Sequence, residues 1–302
     1  MSTTASSTAL ETFTGLVDDA AIFPPGNASM AEALRSHVEH RSAWYATAVG
    51  PFVCSDTRLP ELQQALASMG DDASSTLHVS LTISGGAGAI EPAVTWVGRD
   101  ERLTLAAVEV ALRDETDLAH NAARMTTVLG AALPEDALAY VEPPRLHAEE
   151  ATAGWSAALD EIAAAGHRLK LRTGGAEPEA FPPSAELAVM VTAALDREVA
   201  FKCTAGLHNA VRHTAADTGF EHHGFLNVLL ATRASLDGAG ASEMVELLER
   251  RDATAVADMV VQVGPDRMRS ARRWFGSFGS CSITEPVDDL VDLGLISKGA
   301  TT

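Results

Sequence analysis

Four short apolar runs in the middle of the chain carry charge at alternate positions: AAVEVAL (106–112), LAYVEPP (138–144), RLKLRTGG (168–175) and VAFKCTAGLHN (199–209). In an extended strand, successive side chains point to opposite faces. Val108, Val110, Val141, Leu169, Leu171, Phe201 and Cys203 therefore lie on apolar faces, and Glu109, Glu142, Lys170, Arg172 and Lys202 on the opposite ones. A fold that holds these strands must give one face to hydrophobic packing and the other to charge. Charged side chains are rarely buried unless they are paired or functional.

The rest of the chain repeats an alternation of strand-like and helix-like runs. Strand-like runs cover 16–26, 45–55, 77–86 and the four above, with an eighth at 275–283. Helical runs follow at 30–43, 59–70, 90–98, 114–131, 147–166, 184–198, 225–236, across 242–275, and from 286. Asn27 or Ser29 is placed to cap the first helix and Ser184 the sixth. Strands alternating with helices imply parallel strands joined by helical crossovers. Eight units suit a closed (β/α)8 barrel of the TIM type, which takes about 250 residues. An open doubly wound parallel sheet is the alternative, but helices cover both of its faces and leave no place for the charges. A tail over residues 1–10 and a single domain over 11–302 are expected, because no linker or second composition class interrupts the pattern.

Composition narrows the partners. The formal net charge is −19, a surface that repels nucleic acid and anionic membranes. No run approaches the roughly 20 apolar residues of a membrane span, and the N-terminus lacks the basic start of a signal peptide. A cytoplasmic protein with a small anionic substrate is the expectation, with homo-oligomer formation left open. Cys54, Cys203 and Cys281 are too few and too far apart for a disulfide framework or a zinc ribbon.

In a barrel, catalytic groups gather at the C-terminal ends of the strands. That places Glu109, Glu142, Lys170, Arg172 and Lys202 together, with Gly174, Gly175, Thr204, His208 and Asn209 just beyond. Lys202 is expected to be desolvated beside Lys170 and Arg172, which would lower its pKa and free its amine for attack on a carbonyl. Glu142 or Glu109 would move protons, Arg172 would clamp an anion, and His208 would act from the loop. Gly174-Gly175 and Gly276-Ser277-Phe278-Gly279-Ser280 are candidate phosphate turns, in which Ser277, Gly279 and Ser280 would contact substrate. The inward positions also include Asp18 or Asp19, and His78, Ser80 and Thr82. This chemistry needs no cofactor. The alternative is Mg²⁺ held by Glu109 and Glu142 with a lysine as base; no HxH, HExxH or paired-cysteine spacing supports zinc. A barrel that binds a small anion without catalysis is a third reading.

The stretch AFKCTAGL resembles the strand of deoxyribose-phosphate-type class I aldolases in which a Schiff-base lysine precedes a Thr/Ser-Thr-Gly stretch. The resemblance spans about eight residues and sets Lys202 at the Schiff-base position, with Thr204 and Gly206 at the small polar and glycine positions. Those aldolases carry their second lysine on the following strand, whereas Lys170 lies on the preceding one. More broadly, the chain resembles an uncharacterised bacterial family of β/α barrels. The resemblance implies a lyase of aldolase type acting on a small anionic carbonyl compound.

Overall fold

The computed structural model describes residues 10–70, 76–113, 116–146 and 151–298. Eight parallel strands close into a barrel: β1 (Val17–Asp19), β2 (Val49–Ser55), β3 (Leu77–Ile83), β4 (Leu103–Ala111), β5 (Leu138–Glu142), β6 (Arg168–Arg172), β7 (Phe201–Thr204) and, last in the chain, β10 (Phe275–Ser280). Strand β10 hydrogen-bonds to both β7 and β1, which completes the ring. The open doubly wound sheet is thereby excluded. No helix among the described residues is long and apolar enough to cross a membrane.

The alternation sets the layering. Val108, Val110, Val141, Leu169, Leu171, Phe201 and Cys203 are all buried in the main hydrophobic core, on the face that meets the helices. The helices are α1 (Met30–Ser42), α2 (Leu59–Met69), α3 (Ile90–Gly98), α4 (Leu118–Ala132), α5 (Ala153–Ala164), α6 (Ser184–Leu195) and α7 (Phe225–Leu236). Three more, α8 (Ala241–Leu248), α9 (Ala253–Val263) and α10 (Pro265–Arg272), lead into β10, and α11 (Thr284–Asp292) follows it. Ring stacking of Phe225 on Phe278, with centroids 5.1 Å apart, ties α7 to the outside of β10.

Local chemistry explains the boundaries. Ser29, not Asn27, caps α1, in a reciprocal capping box with Glu32. Asp117 caps α4 and Thr152 caps α5, so both helices start later than the apolar periodicity suggests; residues 114–115 and 147–150 lie outside the described residues. Ser184 is the first residue of α6 rather than its cap, and its hydroxyl donates to Glu249. The first strand is also shorter than the run 16–26, because the chain turns away after Asp19 toward Pro24 and Pro25. The expected tail over 1–10 falls almost wholly outside the described residues.

The long loop after β7 carries structure of its own, a hairpin of β8 (His213–Thr214) and β9 (Glu221–His222). Two buried contacts anchor it. Arg212 is paired with Glu249 and Glu221, and His223 bonds the carbonyl of Pro182 through Nε2 at 2.8 Å. Burial pushes the His223 pKa down to about 4, so the anchor is neutral at ordinary pH.

Arg272 closes the N-terminal end of the barrel. Its Nη1 donates to the carbonyls of Phe275 and Gly276, and its Nη2 to that of Thr14 at 2.9 Å. Above it, Arg168 reaches the Tyr140 hydroxyl at 3.4 Å, and the Lys202 nitrogen stands 5.3 Å from the Tyr140 ring centroid. Arg272, Arg168 and Tyr140 therefore lie on the N-terminal side of the central charges.

Candidate active site

The inward charges form one connected ladder of alternating sign. At its base Asp18 Oδ2, on β1, receives the Lys202 ammonium at 2.5 Å and the Ser277 hydroxyl at 2.8 Å. Lys202 also donates to Glu109 Oε1 at 2.5 Å, and Ser80 donates to the same oxygen at 2.6 Å. The other oxygen of Glu109 faces Lys170 Nζ at 3.0 Å. Lys170 in turn lies 3.2 Å from Glu142 Oε2, and Glu142 Oε1 takes Arg172 Nε at 2.6 Å. Register explains the order. Lys170 is paired with Lys202 and Arg172 with Thr204 across β6 and β7, while Glu109 is level with Tyr140 and Ala111 with Glu142 across β4 and β5.

Depth grades along the ladder. The Lys202 side chain is 1% exposed, Lys170 and Glu142 are each 9% exposed, and Arg172 is 40% exposed. Of the ladder's members, Arg172 is thus the most exposed, and Glu142 and Lys170 lie nearer the surface than Lys202.

The charge state of the base differs from the sequence expectation. Burial alone pulls the Lys202 pKa down, but Asp18 and Glu109 outweigh it and hold it well above the ordinary lysine range. Lys170 does not act as a cationic neighbour that frees the Lys202 amine, because the Glu109 carboxylate stands between the two ammonium groups. Burial alone would raise Glu109, but Lys202 and Lys170, with the bonds from Lys202 and Ser80, hold it well below the usual carboxylate range. Asp18 goes the other way: burial, together with the nearby Glu109 charge, outweighs Lys202 and Ser277 and holds it above the usual Asp range.

These shifts fix a pH dependence. A carboxyl with a depressed folded pKa contributes stability that is present above its unfolded pKa, near 4.3 for Glu, and lost as pH falls further. Asp18 acts with opposite sign, because the native state takes up its proton first as pH falls toward the ordinary Asp value near 3.9. Glu109→Gln is therefore expected to flatten the loss of thermal stability below about pH 4 by about one proton's worth of slope. Melting temperatures across pH 2–6 check it; an unchanged acid limb would mean that Glu109 carries no such charge.

Other residues singled out from the sequence go elsewhere. His208 lies beside the last helix rather than over Lys202: its Nδ1 is 3.1 Å from Glu285 Oε2, and Cys281 Sγ stands 3.7 Å from the same nitrogen. Asn209 donates to Asp289 on α11 at 3.2 Å. Ser277 is buried and its hydroxyl bonds Asp18; Ser280 is buried and donates to the carbonyl of Ser282 at 2.7 Å. Both hydroxyls are engaged within the protein, and Ser280 Oγ also stands 3.5 Å from His208 Nδ1. Thr204 stays near the rim, paired in register with Arg172, and its carbonyl takes the Thr173 hydroxyl at 3.2 Å. Gly279 has open space where a Cβ would stand, beyond a contact with Ala20. Of the two adjacent aspartates, Asp18 points inward, while Asp19 bonds His37 on α1 at 2.9 Å. His78 is exposed, and Ser80 alone of its trio reaches the ladder.

Gly174 and Gly175 serve close packing. A Cβ on Gly174 would fall 2.7 Å from the Phe181 ring and 2.8 Å from Gly206 Cα, and one on Gly175 would fall 2.6 Å from the Ala180 methyl. The turn after β7 is itself unusual, because Ala205 and Gly206 both adopt positive φ, at 59° and 75°. A non-glycine residue in this region is strained, and such strain gathers near functional sites. Gly174→Ala is expected to cost about 1–3 kcal/mol through overpacking, read as a lower midpoint in urea unfolding. An unshifted midpoint would mean that the two turns have room between them.

The Mg²⁺ alternative finds no fitting donor set. Glu109 already faces two lysines, and Glu142 faces a lysine and an arginine. Among the described residues no group of three or more His, Cys, Asp and Glu side chains is arranged to hold a metal ion.

Fold and site together define a closed (β/α)8 barrel with a ladder of three acids and three bases running from its buried centre to its C-terminal rim. No family model matches the chain, and a search of curated proteins finds no match.

Proposed function

We propose that this barrel is a lyase of aldolase type acting on a small anionic carbonyl compound, with Lys170 as the amine that meets the carbonyl. The observation that carries the reading is the position of Lys170. It is the ladder's lysine on the rim side, flanked by Glu142 and by a half-exposed Arg172. Lys202, the lysine in the aldolase-like stretch, is paired on two sides and shut from solvent, which supports a supporting role for it.

The chemistry follows from the groups present. Lys170 passes a proton to Glu142 and its free amine adds to the carbonyl carbon. The carbonyl oxygen leaves as water, having taken two protons, one of them returned by Glu142. The resulting iminium ion draws the electrons of the neighbouring carbon–carbon bond as it breaks, and Glu142 takes the proton of the departing hydroxyl. Arg172 holds the anionic end of the substrate through Nη2 and the second proton of Nη1, because its Nε is engaged by Glu142 and its Nη1 reaches the Gly174 carbonyl at 3.5 Å. Protonation of the enamine and addition of water then release the second product and the amine.

Borohydride trapping with a panel of small aldehydes and keto acids tests this reading. The expected outcome is a reduced adduct that maps to Lys170 and is absent from Lys170→Met. An adduct on Lys202 would return the role to that residue, and no adduct from any compound would remove the covalent mechanism.

One observation favours a second reading. Two carboxylates lie 3.0 and 3.2 Å from the Lys170 nitrogen, an arrangement that stabilises an ammonium. As a fixed cation, Lys170 would polarise a carbonyl while Glu142 removed a neighbouring proton, which is isomerase or lyase chemistry without a covalent intermediate. Turnover of a carbonyl substrate with no trapped adduct would select it.

A further inference from the structure

A cluster of thiol, imidazole and carboxylate at the C-terminal face takes no part in the lysine chemistry. Cys281 is the first residue after β10 and is half-buried, whereas Cys54 and Cys203 are buried. Its Sγ lies 3.7 Å from Nδ1 and 3.8 Å from Nε2 of His208, which the loop after β7 brings across. Glu285, in the first turn of α11, holds Nδ1 of the same imidazole at 3.1 Å. The acid occupies one ring nitrogen and leaves the other to face the sulfur, the order of groups found in acyl-transfer sites.

The sulfur also has backbone donors. The N–H groups of Gly26 and of Cys281 itself are turned to it and favour negative charge there. Gly26, in the loop between β1 and α1, comes this close only because it is glycine: a Cβ there would fall 2.8 Å from Cys281 Cβ and 2.9 Å from the Ala21 carbonyl oxygen. Burial, with the charges of Glu285 and Asp19, pushes the thiol pKa up. The thiol therefore rests protonated, and its attack on an electrophile needs a base beside it, which His208 supplies.

We propose that Cys281, His208 and Glu285 form a second active site, which transfers the acyl group of small uncharged esters or thioesters to water. His208 takes the thiol proton as Sγ adds to the carbonyl carbon, and the leaving group departs with that proton. Water then adds to the carbonyl of the acylated cysteine and gives a proton to His208. The C–S bond breaks, the carboxylic acid leaves, and the sulfur takes the proton back. The two backbone N–H groups stabilise the charge that develops at the sulfur and the carbonyl beside it. Glu285 is a positioning residue that orients the imidazole. The charged side chains that bear on the sulfur, Glu285 and Asp19, are both acidic, so this site repels anionic acyl compounds. In that respect its substrates differ from the anion assigned to Arg172.

p-Nitrophenyl acetate at neutral pH is the probe. The expected result is a burst of p-nitrophenolate matching one site per chain, with the acetyl group mapped to Cys281 after a rapid acid quench and absent from Cys281→Ala. His208→Gln is expected to slow acetylation by about 10²-fold or more. p-Nitrophenyl hydrogen succinate, which carries a carboxylate, should acylate wild-type Cys281 about tenfold more slowly than the acetate, once each rate is divided by that with free cysteine. This comparison needs no variant, so it decides the matter even if His208→Gln does not fold. Acetylation confined to lysines or the N-terminus, an unchanged rate in a folded His208→Gln protein, or equal normalised rates for the two esters overturns the proposal. None of these readouts uses Lys170, so a failed borohydride trap bears on the lyase reading alone.

Discussion

Replacing Lys202 with methionine is expected to destabilise the protein by about 3–5 kcal/mol, the size of effect seen when one partner of a buried ion pair is removed. Lys202 is among the largest fully buried side chains and the sole cation within bonding distance of Asp18 among the described residues. Without it, Asp18 keeps only the Ser277 hydroxyl, and Glu109 loses the nearer of its two lysines. The loss arises from stranded charge more than from lost attraction, since a buried pair gains little over well-packed apolar groups. Adding Asp18→Asn to Lys202→Met should therefore recover most of it, although more native contacts have been removed. Urea unfolding of the wild type, the single variant and the double variant reads all three. A Lys202→Met protein within about 1 kcal/mol of wild type would place the ladder in water rather than in the core.

The second large effect is on chemistry. Glu142→Gln is expected to slow carbonyl turnover, or imine formation at Lys170, by about 10²–10⁴-fold, the usual worth of a positioned acid–base group. Glutamine keeps one oxygen, which can accept from the Arg172 Nε or from the Lys170 ammonium but not from both as Glu142 does, so one contact is lost and stability should still change less than in Lys202→Met. What it cannot do is take up and return a proton. Single-turnover trapping on Lys170 across pH separates the two losses: a missing proton carrier changes the rate and its pH dependence, whereas a displaced lysine changes the amount of adduct. Wild-type rates in Glu142→Gln would assign the proton transfers to Glu109 or to water.

Much of this arrangement is legible in the linear sequence. A period of two within a run of seven to eleven residues is a local property, and it assigned Val108, Val141, Leu171 and Cys203 to one face and Glu109, Glu142, Lys170 and Lys202 to the other. Eight such runs separated by helices pointed to a closed barrel, because only closure gives charged strand faces an interior of their own. The short runs were less secure. Three residues form β1, and nothing in Val17-Asp18-Asp19 distinguishes the inward aspartate from the one that bonds His37.

The roles within the site were not legible. Lys202 and Lys170 look alike in the sequence, each a lysine between apolar neighbours. Proximity of the two suggested mutual repulsion, when a carboxylate from β4 lies between them. His208, Asn209 and Ser280 follow strand ends and so read as site residues, but α11 and its flanking segments engage them. The hairpin after β7 escaped notice because its strands are two residues each, too short for any periodicity.

Local sequence set the alternation of eight strands with helices and the inward position of Glu109, Glu142, Lys170, Arg172 and Lys202, since these depend on neighbours a few residues apart and on the sterics of alternate side chains. Only the tertiary structure decided which acid meets which base, how deep each pair lies and which lysine remains within reach of solvent. Those properties depend on strand register and barrel closure, which bring Asp18 onto Lys202 across 184 residues, and on local dielectric, which exists only once the core has formed.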